Sequence, residues 1–131
     1  MFGRDTISRI LKIIKQLRLL IFLIERKLKN KTVWEKDEVK ELIQRVAEVE
    51  EIDPDLALNV AFCESSYNPL AVGNNYNNTI DRGLYQWNDY YHPEITDEMA
   101  FDPYIATKEF CKAVKSGNLS WWNSSKVCWN K

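Results

Sequence analysis

Two carboxyl side chains stand where proton transfer and charge stabilisation are both feasible. Glu64 lies in the stretch AFCESSYNP, with Phe62 and Cys63 just before it and Val60 one turn back. A carboxyl among apolar groups loses hydration, which raises its pKa and keeps it protonated near neutrality. That is the state a general acid must hold. Asp81 follows 17 positions later, beyond an Asn-rich polar turn where an Asp stays solvated and ionised. Taken singly, Glu64 reads more readily as a surface residue of a last helical turn, and Asp81 as a turn-capping residue. Taken as a pair across a cleft, they supply what cleavage of a glycosidic bond requires. One gives a proton to the leaving oxygen, and the other gives a negative group to the oxocarbenium-like sugar.

The neighbouring residue types suit a sugar. Asn74, Asn75, Asn77, Asn78, Gln86 and Asn88 offer amide hydrogen bonds. Tyr85, Trp87, Tyr90, Tyr91, Trp121 and Trp122 offer flat apolar faces. Amides beside aromatics fit a ligand with polar edges and apolar faces. About half of the domain's aromatics, Tyr85 and Trp129 included, are expected to be core instead. With a single histidine, His92, and no C-x-x-C, neither a zinc site nor any other metal or cofactor is expected. The three cysteines, Cys63, Cys111 and Cys128, allow one disulfide in any of three pairings, or three reduced buried thiols.

The elements that must carry these groups divide the chain at about residue 31. Residues 1–31 hold nine Lys/Arg against two acids, a net +7, and residues 32–131 hold nine against seventeen, a net −8. The second part is too acidic to grip a phosphate backbone, so a nucleic-acid partner is not expected. In the first part Ile7, Ile10, Ile14, Leu17, Ile21, Ile24 and Leu28 recur at alternating steps of three and four, as along a coiled-coil seam. Leu11, Ile13 and Leu20 widen that stripe. Such a basic amphipathic helix has three expected uses: a homo-oligomer or partner contact, a membrane-surface contact through residues 7–28, or packing against its own domain. The longest apolar run, Leu19–Ile24, is far short of the roughly 20 residues a span needs. No small-residue cleavage site follows it.

The compact domain is expected over 32–131. Thr32 and Glu35 have capping-box spacing and predict a helix to about Glu51. Asp53-Pro54 and Asp102-Pro103 each place a capping Asp before a Pro at the first helical position. They predict a second helix ending before Asn68-Pro69 and a third ending at Gly117. Leu84–Trp87 reads as a short strand or turn. The fold class is therefore mainly α with a small β element (α+β), preceded by a long N-terminal amphipathic helix.

Two runs, E64-S-S-Y-N-P-L-A and D81-R-G-L-Y-Q-W-N, resemble the signature of the lysozyme superfamily. Soluble-type lytic transglycosylases have E-S, then N-P-x-A, then G-L-x-Q. Animal-type lysozymes have E-S-x-aromatic-N, then D-x-G-apolar-x-Q-apolar-N, with the same 17-residue step between carboxylates. The resemblance covers roughly residues 40–131. It implies a lysozyme-like fold, and cleavage of the β-1,4 bond between N-acetylmuramic acid and N-acetylglucosamine in peptidoglycan glycan strands. Glu64 would be the acid, hydrogen-bonded by Ser65, and Asp81 the second catalytic carboxylate. Gln86 and Asn88 would line the groove. Tyr91 and His92 stand where the lysozyme pattern has sugar-stacking tryptophans. Asn75, Trp121 and Trp122 complete the expected substrate-binding set.

The departures bear on mechanism. The A-Y-N sequence of lytic transglycosylases is missing, which favours hydrolysis (a muramidase) over formation of 1,6-anhydro ends. Arg82 follows Asp81 where lysozymes have an aromatic. It either holds Asp81 ionised or draws it away as a surface pair. Without the four-disulfide framework of animal lysozymes, the resemblance points to a bacterial or phage protein. Such a protein would act outside the cytoplasm, at the cell wall or on a virion. The rival of another class is an inactive glycan-binding or assembly module.

Overall fold

The computed structural model describes residues 3–131. Six α-helices and a small antiparallel sheet follow one another as α1 (Arg4–Leu28), α2 (Lys36–Glu50), α3 (Pro54–Ser65), β1 (Val72–Asn74), β2 (Ile80–Arg82), β3 (Trp87–Asn88), α4 (Asp97–Phe101), α5 (Pro103–Lys115), a 3₁₀ segment (Leu119–Ser125) and α6 (Lys126–Trp129). The sheet order is β1-β2-β3. This is the expected helical domain with a minor β element.

Helix α2 starts three residues later than Thr32 predicts. The reciprocal cap is made by Glu35 and Glu38, whose side chains bond each other's backbone N–H. Two capping boxes overlap in the sequence, and the second one forms. Val39, Leu42, Ile43 and Val46 from this helix are buried against Val60 of α3 and Phe110 of α5. The Asp-Pro starts behave as their chemistry requires. Asp53 accepts from the Asp55 N–H, and Asp102 from those of Tyr104 and Ile105. Helix α4 is not evident from the sequence because it is only five residues long. Thr96 caps it by accepting from the Met99 N–H.

Tryptophan and tyrosine ends knit the core together, as buried aromatics with a polar tip must. Tyr85 stacks on Phe110 with centroids 4.3 Å apart, and its hydroxyl donates to the Ala57 carbonyl at 3.0 Å. Trp122 Nε1 donates to the Tyr85 carbonyl at 2.9 Å, and Trp129 Nε1 to the Trp122 carbonyl at 3.1 Å. The C-terminal tryptophans thus close the core over the loop that leads to β3.

Helix α1 lies on α2. Leu19 is buried, and Phe22 and Leu23 pack beside it. Arg26 is the clasp. Its guanidinium pairs with Glu38, donates to the Val33 carbonyl at 3.2 Å, and covers the Trp34 ring at 3.4 Å from its centroid. The heptad residues take no part in this contact. Ile7, Ile10, Ile14, Leu17, Ile21, Ile24 and Leu28 all face outward and are exposed. The helix therefore docks on its own domain by the face opposite its most regular apolar stripe. No helix among the described residues is long and apolar enough to cross a membrane.

One disulfide is formed, Cys63–Cys128, and Cys111 is free and buried. Burial pushes the Cys111 thiol up to about 12, with the Glu50 charge adding and Lys115 opposing.

Candidate active site

Helix α3 is apolar on most sides, and its last turn carries Glu64 to the domain surface. Ser66 and Tyr67 then adopt left-handed backbone, with φ of 52° and 64°, and turn the chain towards the sheet. Glu64 ends in a groove of about 600 Å³ whose wall also includes Asp81, Gln86, Asn88, Tyr91, His92, Trp121 and Trp122. Burial raises the Glu64 pKa from its ordinary value. The nearby polar side chain of Ser125 opposes this, and the charge of Asp81 adds to it. The two carboxyls, 17 residues apart in sequence, sense each other across the groove.

The sheet fixes the second carboxyl. Asp81 pairs with Gly73 on one side and Asn88 on the other. The Asn88 amide donates to Asp81 Oδ1 at 2.9 Å and to Thr79 Oγ1 at 3.0 Å. Its carbonyl oxygen accepts from the Tyr90 and Tyr91 N–H groups, both at 3.0 Å. Asn88 is thereby locked in one orientation, and so is the carboxylate oxygen it holds. Gln86, at φ +52°, donates to the Gly83 and Ala71 carbonyls at 3.0 and 3.3 Å. Gly73 leaves the room this takes, since a Cβ there would sit 2.7 Å from Gln86 Oε1.

Opposite lies an aromatic wall. The His92 ring meets Trp121 at 4.6 Å and Trp87 edge-on at 5.0 Å. Trp121 and Tyr91 keep about half or more of their surface open, as a platform for a sugar face requires. Trp122 touches the groove but is 5% exposed, so its main work is packing.

Several expectations need correction. Ser65 does not line the groove, and its hydroxyl donates to the Ala61 carbonyl at 2.9 Å, one turn back along its own helix. The side chain close enough to Glu64 to oppose its pKa rise is Ser125, whose hydroxyl donates to the Trp122 carbonyl at 3.2 Å. Asn75 does not line the groove either. Its amide donates to Thr79 Oγ1 at 3.1 Å and shapes the β1–β2 turn. Arg82 neither pairs with Asp81 nor lies on the surface. Strand alternation sends it to the other face, where it is buried and bonds the Trp87 carbonyl at 3.0 Å, the Ile95 carbonyl at 2.8 Å and Asp97 at 3.0 Å. Ser124 and Glu94 line the groove without having been singled out. The Cys63–Cys128 pairing is the signal that would have found Ser125. It ties the residue before Glu64 to a position three after Ser125. No cluster of three or more His, Cys, Asp or Glu that could hold a metal occurs among the described residues.

A family model described as a lysozyme-like domain matches residues 46–124, a span holding Glu64, Asp81 and the groove wall up to Ser124. Neither a curated protein nor a solved structure matches the chain.

Proposed function

This chain belongs to the lysozyme-like domain family, and from that premise we propose that it cleaves peptidoglycan glycan strands at the bond between N-acetylmuramic acid and N-acetylglucosamine. The observation that carries the reading is a carboxyl, Glu64, whose pKa is raised by burial beside an open groove that a second carboxyl shares. Glu64 donates its proton to the glycosidic oxygen as the bond breaks. Asp81, steadied by Asn88, lies on the same groove and offsets the positive charge that develops on the sugar ring. Water then completes a hydrolysis. Trp121, Tyr91 and His92 give the sugar rings apolar faces, and Gln86 and Asn88 border the carboxyl pair.

The Cys63–Cys128 disulfide supports action outside the cytoplasm, because such bonds persist in oxidising compartments. Glu64→Gln tests the assignment. It preserves shape and removes the proton. Clearance of a cell-wall suspension should fall by about 10²–10⁴-fold, while binding to insoluble wall is retained. A variant that clears as fast as the parent removes Glu64 from the mechanism. A parent that binds without clearing makes the chain a glycan-binding module.

A further inference from the structure

We propose that α1 is a membrane-surface anchor, lying flat in the interface of an anionic phospholipid bilayer with the catalytic domain on its back. The proposal stands apart from the glycan reading and uses none of the groove residues. Its first support is the division of the helix into two opposite faces. Leu19 and Arg26 are buried, and Phe22 and Leu23 pack beside them, so one face belongs to α2. At 100° per residue, the side chains from Ile7 to Ile24 that form the apolar stripe centre on the other face. Nine Ile and Leu there are 37–53% exposed. The stripe covers about half the circumference and runs about 26 Å along a 25-residue helix. It leaves on the order of 800 Å² of contiguous apolar surface, more than a monomer normally exposes.

Its second support is charge. Arg4, Lys15, Arg18 and Lys29 follow one border of the stripe, and Arg9 and Lys27 the other. Glu25 is the one acid beside it. This pattern is wrong for a second copy of the chain. Helices that pair through a seam carry opposite charges at its borders, whereas here two cationic margins would meet. A seam is also narrower than half a helix. An anionic lipid surface accepts the whole width, taking the apolar face 5–10 Å into the headgroup boundary. Each cation held near that surface raises affinity about fivefold. The net −8 of residues 32–131 is carried by the domain behind the helix.

The test is co-sedimentation of the full chain with phosphatidylglycerol-rich vesicles and with pure phosphatidylcholine vesicles. Affinity for the anionic vesicles should exceed that for the neutral ones at least tenfold, and high salt should weaken it. Leu17→Glu with Ile21→Glu, and separately Arg9→Glu with Arg18→Glu, should each lower affinity at least tenfold. All these side chains are exposed, so circular dichroism and wall cleavage without vesicles should match the parent. No binding to the anionic vesicles overturns the proposal, as does equal binding to both kinds. A stable dimer in sedimentation velocity that the Leu17→Glu, Ile21→Glu chain dissociates also overturns it, and assigns the stripe to a second copy. Loss of wall cleavage in the parent, with lipid binding intact, refutes the glycan reading and leaves this one standing.

Discussion

Replacing Gly83 by alanine separates two costs that usually come together. Gly83 has φ +76°, a backbone region where any Cβ is strained, at about 1–2 kcal/mol. Its position adds a collision, because a Cβ there would stand 1.9 Å from the Ala100 carbonyl oxygen. That oxygen is backbone in α4, and Ala100 is fully buried, so relief needs the helix to retreat by about 1 Å or more. Overpacking of this kind costs about 1–3 kcal/mol. The total is about 2–5 kcal/mol, a large part of an ordinary domain's stability. Gly117 is the internal control. It has φ +82° but nothing within 4 Å of its added Cβ, so Gly117→Ala shows the strain alone. Urea unfolding followed by tryptophan fluorescence should place Gly83→Ala about 1–3 kcal/mol below Gly117→Ala. Activity should fall only in the first, since Gln86 rests on the Gly83 carbonyl. If the two variants unfold within about 0.5 kcal/mol of each other, the close packing of α4 on this loop is wrong.

Cleavage should be lost as pH rises through the raised pKa of Glu64, because only the protonated acid can donate. Stability follows the same sign. A carboxyl whose folded pKa is raised disfavours the charged form in the fold, so Glu64→Gln should be at least as stable as the parent above that pKa, and a lower melting temperature there would contradict the burial argument. Asn88→Ala removes the bond to Asp81 Oδ1 and should lower kcat about 10–100-fold, the worth of a hydrogen bond to a charged group; a change confined to KM would show that Asn88 only binds substrate. Reducing Cys63–Cys128, which closes a 65-residue separation, should cost about 2–4 kcal/mol. In the oxidised protein, thiol labelling should detect Cys111 only after denaturation, because it is buried with its pKa pushed up to about 12.

What could be read from the sequence was local or short-range. Asp53-Pro54 and Asp102-Pro103 fix their helix starts through bonds spanning two or three residues. The carboxyl pair was legible because its spacing is kept by one helix end and one hairpin. What depends on distant packing was not legible. Whether Ser65 or Ser125 stands beside Glu64 turns on how the C-terminal segment folds back. Whether Arg82 reaches Asp81 or Asp97 turns on which face of β2 is covered. Trp121 and Trp122 are neighbours of one type, yet one opens to the groove and the other fills the core. The stripe on α1 was visible as a pattern, but the face that docks is carried by Leu19, Phe22, Leu23 and Arg26, an irregular set with a cation in it.

The central claim is that Glu64 breaks a glycan strand with its proton. The most direct measurement is mass spectrometry of the fragments released from purified peptidoglycan by the parent and by Glu64→Gln. The account predicts disaccharide-peptides with full-mass reducing ends on N-acetylmuramic acid from the parent, and none from the variant. Fragments one water lighter would contradict the hydrolytic step, and release of the same fragments by Glu64→Gln would contradict the claim itself.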